Sequence, residues 1–427
     1  MIDLVAAAAQ AAGSFDPEAA TRAWLDTLQG PARARSDAYF EGGYWLLLWN
    51  ALVGIGLGLA LLHFGWSAAW RSWAERVTGR RWLQPALYAV PYVIVAAIAL
   101  LPWSIYAGWY RERQYGLMNL TLPQWLGEQA IGLAVQIVVL ALLLTVVFAV
   151  IRRAPRGWWL WGSGTVIAFM ALMMVVSPVF LSPLFNDYRP MEEGPLRDSI
   201  LEMARAHDVP ADNIYVFDQS KQHNRISANV SGLGPTIRIS LNDNLLARGT
   251  PEEVRAVMGH ELGHYVLNHG LVLLGAMALI LLAGFWLLWR LTPLILARYG
   301  ARWGVRGVDD PAVLPLFAII LTLFMLAMTP VTNSLVRTVE SQADAFGLDA
   351  AREPDGFASV AMKLSEYRKI EPLPLEEVLF FDHPSGATRV RMAMDWKARD
   401  QAARERSAMT SPASASSPPA AASADQR

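Results

Sequence analysis

His260-Glu261-Leu262-Gly263-His264 has the form H-E-x-x-H. Residues four apart share one face of a helix, so His260 and His264 can present two imidazole nitrogens to a single ion. Glu261, beside them, is placed to take a proton from a water held there. The flanking residues favour the helix that this requires. Thr250 can cap it, Pro251 suits its first turn, and Glu252 and Glu253 fall at its positive end. The pattern predicts a zinc site, although the pentapeptide alone also fits an ordinary amphipathic helix.

Zinc in peptidases takes three protein ligands and leaves one position open. Cysteine is absent from the chain, which excludes thiolates and leaves His, Asp or Glu as the third ligand. Glu340 is the candidate. It follows an apolar span, where a carboxylate is costly near lipid unless it faces protein or an ion. Asp344, one turn on and on the same face, is placed to accept the other N–H of a ligand histidine. Without the H-E-x-x-H, both acids would read as helix-surface charges. Asn333 and Arg337 belong to the same stretch. His383, in a loop before Pro384, could hydrogen-bond the oxygen of a tetrahedral intermediate or be a surface histidine. Arg389 could orient a site carboxylate or pair with a surface acid. His207, His223 and His269 read as structural, with His269 off the ligand face, and His63 reads as an interface residue.

The elements that must position these residues are mostly apolar. The 427 residues are 54% hydrophobic and only 17% charged, against about 25% charged in soluble proteins. A net charge of −1 gives no reason to expect a nucleic-acid partner. Six stretches are long and apolar enough to span a bilayer. They run over 44–66, 87–106, 131–151, 158–181, 271–288 and 311–331, the fifth continuing from the metal helix. The expected fold is mainly α: a polytopic membrane protein with about six to seven spans around a chamber and a small α+β catalytic segment.

The expected organisation is a polar segment over 1–43, four spans over 44–181 and a catalytic segment with a small sheet over 182–270. Two further spans follow over 271–335, then the rest of the site over 336–400 and a disordered Ala/Ser/Pro-rich tail over 401–427. The apolar run Leu4 to Ala12 lacks a basic start, which argues against a secretory signal. The charges of Tyr110 to Asn119 fit either a solvated interface or the lining of a polar cavity. Strands are expected near Asn213–Asp218, Ile226–Val230 and Thr236–Leu241. Such a sheet would either carry an edge to which an extended peptide adds a strand or serve as a structural patch.

At these residues the sequence resembles the type I CAAX prenyl protease family of integral-membrane zinc metallopeptidases. The blocks that carry the resemblance run in order from about Glu41 to Trp396. They include Leu101-Pro102-Trp103, Arg113-Gln114-Tyr115-Gly116 with Asn119, Pro183-Leu184-Phe185-Asn186, His260 to His264, Arg337 with Glu340 and Gln342 to Phe346, and His383-Pro384 with Arg389. The resemblance implies one Zn2+ per chain held by His260, His264 and Glu340, with Glu261 as general base. His383 would stabilise the transition state, and Asp344, Arg337, Arg389 and Asn333 would support the ligands. It implies a ring of membrane helices around a water-filled chamber, and a peptide substrate, with or without a lipid modification. The family's substrate-strand Asn-Ala pair aligns with Ser227-Ala228, with Asn229 next, so the clamp residues depart from the pattern. His383-Pro384-Ser385 and Thr388 depart from it too.

These features imply an integral protein of a bacterial inner membrane. Its sidedness is contested. Arginines follow the first, third and fifth spans, and the positive-inside rule puts those loops in the cytoplasm. The resemblance puts the catalytic side there instead. The expected activity is zinc-dependent cleavage near the C-terminus of prenylated peptides. The rivals are a quality-control protease for misfolded membrane proteins, a non-catalytic zinc-stabilised chaperone or receptor, and a transporter.

Overall fold

The computed structural model describes residues 15–232 and 237–410; the Leu4–Ala12 run and the end of the tail lie outside them. Among the described residues six helices are long and apolar enough to cross a membrane: Gly30–His63, Gln84–Gln114, Leu122–Arg153, Trp158–Leu184, His269–Trp303 and Pro311–Ala351. The protein is an integral membrane protein.

In chain order, α1 (Pro17–Leu25) precedes the first spanning helix, α2 (Gly30–His63). Helix α2 begins well before position 44, where the apolar stretch starts. Pro31 stands in its first turn and no further proline follows, so the polar residues ahead of the span extend the helix through Gly42-Gly43. A short helix, α3 (Trp66–Val77), leads to the spans α4 (Gln84–Ile105), α5 (Leu122–Arg153) and α6 (Trp158–Val176). Tyr88, Phe148, Leu62 and Leu288 are the heart of the core between the spans.

The catalytic segment begins with β1 (Tyr188–Pro190), α7 (Pro195–Ala206), β2 (Ile214–Phe217), β3 (Ala228–Ser231) and β4 (Arg238–Asn242). The strand order is β1-β2-β4-β3. Strands β2 and β4 are parallel, and β3 pairs antiparallel with β4, Ala228 opposite Leu241. This leaves β3 at an edge of the sheet. The core-facing Ile214, Ile239 and Leu241 pack with Ile200, Met258 and Leu262, binding the sheet to the next helices.

Those helices are α8 (Asp243–Arg248) and α9 (Pro251–Val266), then the span α10 (His269–Trp303). Helices α9 and α10 are separate, although the sequence reads as one continuing run. Asn268 takes a left-handed conformation, with φ of 55°, and turns the chain between them. Helix α11 (Leu314–Ala351) is one unbroken helix of 38 residues, ~57 Å long at 1.5 Å per residue. It leaves the membrane and delivers Glu340 and Asp344 to the catalytic segment. The chain closes with α12 (Pro354–Leu364), α13 (Pro374–Phe380) and α14 (Gly386–Thr410). Residues 401–410, expected to be disordered, continue α14, because Gln401 to Ser407 is rich in strong helix formers.

Candidate metal centre

Helix α9 starts where the sequence predicts. The Thr250 hydroxyl and the Glu253 carboxylate form a reciprocal capping box. Four residues apart on this helix, His260 and His264 bring their Nε2 atoms to 3.1 Å. Helix α11 crosses at very short range because small residues meet at the crossing. A Cβ on Gly347 would fall 2.7 Å from the His260 backbone nitrogen, and one on Gly259 would fall 2.9 Å from the Gly347 carbonyl. This approach sets Glu340 against the histidines. Its carboxylate oxygens lie 3.4 Å from His260 Nε2 and 3.4 Å from His264 Nε2. The three ligand atoms all lie within 4.8 Å of one another. Two imidazoles and one carboxylate, converging from two helices, suit a borderline divalent ion such as zinc and leave further positions for water and substrate.

A second layer holds these groups. Asp344 is fully buried, and its Oδ1 lies 2.8 Å from His260 Nδ1. Arg389 donates from Nε to Asp344 at 2.9 Å and from a terminal nitrogen to Glu340 at 3.1 Å. Burial disfavours charge on His260, but Asp344 and Glu340 outweigh it and push the pKa up to about 10. For His264, burial and then the charge of His260 push it down to about 4. Burial pushes the Glu261 carboxyl up to about 7. Glu261 lines a cavity of about 230 Å³ with His260, Glu340, His383, Ser227 and Ala228. His383 Nε2 is 3.2 Å from Glu340, and its Nδ1 is 2.8 Å from Asp382.

The remaining expected residues divide. Ser227 and Ala228 line the cavity, whereas Asn229 is not among its lining residues and pairs with Ser240 on β4. Asn333 and Arg337 do not reach the ligands. Asn333 donates to the Leu379 carbonyl, and Arg337 donates to the carbonyls of Glu377 and Phe381. They stand two and one helical turns before Glu340, so they brace α13 and the loop that carries His383. The sequence predicts His269 off the ligand face, but its Nδ1 is 3.0 Å from His264 Nδ1 and its Nε2 is 3.1 Å from Gln342. The charged stretch after α4 lines a cavity: Arg111 and Glu112 face a space of about 610 Å³ that also takes in Tyr39 and Arg225.

Two family models meet end to end on this chain. Residues 26–187 match the model described as the CAAX prenyl protease N-terminal region, five membrane helices, and residues 190–397 match Peptidase family M48. The chain belongs to the M48 CAAX prenyl protease family. It is a metallopeptidase of the membrane. CAAX prenyl protease 1 of Saccharomyces cerevisiae is 27% identical over 69% of this chain and 68% of its own length. An uncharacterised metalloprotease of Bacillus subtilis is 28% identical, over 81% of this chain and 82% of its own length. The crystal structure of Ste24p from S. mikatae shares the fold, with a TM-score of 0.69 over 88% of this chain and 94% of that one, at 21% identity. The M48 model spans both histidines, Glu340 and Arg389, so the layer around the ligands lies within the family's own segment.

Proposed function

We propose that this M48 metallopeptidase uses one zinc ion, held by His260, His264 and Glu340, to cut peptides near the C-terminus, with prenylated peptides as its preferred substrates. The observation that carries the reading is the convergence of those three ligand atoms beside Glu261 in a cleft walled by the edge strand β3. When bound, zinc would polarise the scissile carbonyl and acidify a water. Glu261 then takes the proton of the attacking water and passes it to the leaving amine. Burial raises this carboxyl above the ordinary glutamate value, which favours its taking up the proton before handing it on. His383, oriented by Asp382, is the donor for the developing oxyanion. Asp344 and Arg389 fix the tautomer and direction of His260 and the position of Glu340. The free side of β3 at Ala228 offers backbone groups to an extended substrate, next to Ser227, whose own backbone is bonded to Asn242. The preference for prenylated peptides is supported by the relatives described as CAAX prenyl protease 1. The side of the catalytic segment is proposed to be cytoplasmic, in a bacterial inner membrane.

Glu261→Gln tests the reading. Turnover of a farnesylated C-terminal peptide is expected to fall by a factor on the order of a thousand or more while the metal content stays at one per chain. Equal cleavage of farnesylated and unfarnesylated peptides by the wild type would instead make this a general membrane endopeptidase. Retained activity in Glu261→Gln would remove the base assignment.

A further inference from the structure

Arg368 stands in the turn after α12 and lines the metal cleft together with Glu261 and His383. It also lines the adjoining 610 Å³ cavity. The other arginines lining this space are engaged. Arg389 holds Glu340 and Asp344, Arg225 pairs with Glu112, and Arg111 donates to the Tyr39 carbonyl. Among the described residues the Arg368 guanidinium has no hydrogen-bond or ion-pair partner. A guanidinium carries five donors, and withdrawing it from bulk water without an acceptor is costly. Burial, reinforced by the charge of Arg389, pulls its pKa below the ordinary arginine value. The wall of the cleft is otherwise apolar here, built from Val257, Phe357, Val360 and Leu364. An apolar wall and an unanswered cation in one cleft describe a pocket for an apolar residue that bears a carboxylate.

We propose that Arg368 is the carboxylate-binding residue of the substrate site, taking the free α-carboxylate of an apolar C-terminal residue. This rests on the proposed cleavage near the C-terminus. A guanidinium can fork onto a carboxylate with two parallel hydrogen bonds, which fixes distance as well as charge. Arg368 therefore measures the scissile bond from the chain end. A peptide bond far from any C-terminus would leave the guanidinium unanswered.

The experiment uses the metal-loaded full chain in detergent and a farnesylated peptide made as the free acid and as the C-terminal amide. Wild type is expected to prefer the acid by about tenfold to a hundredfold in kcat/KM. In Arg368→Met the acid-to-amide ratio falls to about one, and Arg368→Lys recovers part of it. Bound metal is measured in each variant, so a collapsed site is seen directly. An amide peptide ending in glutamate distinguishes a side-chain carboxylate from the chain terminus: rescue by that glutamate overturns the terminus and assigns the side chain. No preference in the wild type, or equal slowing of acid and amide in Arg368→Met, overturns the proposal. A wild type that prefers the acid yet ignores the farnesyl group keeps Arg368 and loses prenyl selectivity. A wild type that cuts neither peptide overturns both.

Discussion

His264 faces the ligand cluster with Nε2, so its Nδ1 carries the proton and donates to Nδ1 of His269. That leaves the Nε2 proton of His269 for the Gln342 carbonyl. Each nitrogen in this row has one consistent role, and the row sets both the tautomer and the ring plane of a ligand. His269→Leu is expected to weaken metal binding by about tenfold to a hundredfold, as for other partners of ligand histidines. Chelator competition measures it, and unchanged affinity would reduce His269 to packing. The sequence could yield His260, His264 and Glu261 because a helical repeat alone makes them neighbours. It could not yield His269. On a continuous helix a residue five positions after His264 points well away from it. The left-handed Asn268 breaks the phase and swings His269 back. An asparagine just past a helix end was the available signal. Arg368 was hidden for another reason: nothing in its neighbourhood along the chain hints that a cleft from five other elements closes around it.

Among the elements, α9 carries both histidines and depends on its first turn. Glu253 is buried there and accepts from Thr250 N at 2.8 Å, Ser359 Oγ at 2.5 Å and Lys363 Nζ at 2.6 Å. One carboxylate thus caps α9 and ties it to α12. Burial alone would raise its pKa, but the hydrogen bonds from Lys363 and Ser359 win and hold it below the usual glutamate value. A folded-state pKa below the unfolded one contributes stability that is complete above the unfolded value, 4.5. It is lost as pH falls through the folded value. Glu253→Gln is expected to destabilise the catalytic segment by about 2–4 kcal/mol near pH 7, because Lys363 is left without its partner. The difference from wild type should shrink as the pH falls below the usual glutamate range. Denaturant unfolding followed at several pH values checks it, and a constant difference would sink it. The helix starts were legible in caps such as Thr250-Pro251. The strand Tyr188–Pro190 was not, since three residues ending in proline at a sheet edge carry almost no alternation.

Across the whole molecule the charges are sorted between two ends. Arg71 pairs with Asp310 and Arg306 with Glu75, and Arg81 lies 3.6 Å from Asp309. Arg152 donates to the carbonyls of Arg81 and Asp309. These contacts gather the loops after the first, third and fifth spans at one end of the bundle. The other end holds the catalytic segment together with α1 and the start of α14, because α1 packs Leu25 into the core that α12 and α14 build around Phe357 and Trp396. Even the entry into α2 is tied there, through Arg33 to Glu371 and Ser36 to the Ser365 carbonyl. The sequence contained both the spans and the arginines, but not their pairing. Counting basic residues puts the arginine end in the cytoplasm. The pairing supplies a different reason for arginine at that end: the side chains lock helix ends to one another, and a packing role weakens their value as markers of sidedness. The proposed function needs the catalytic end on the side where the substrate is presented, and we expect that side to be the cytoplasm. A green fluorescent protein fused after Arg406 should therefore glow in living cells, and an alkaline phosphatase at the same position should stay inactive. Because six spans return the chain to its starting side, fusions ahead of α1 must report the same compartment. Active phosphatase at both positions would turn the molecule over and move the substrate outside the cytoplasm, while leaving the metal ligands and Arg368 untouched.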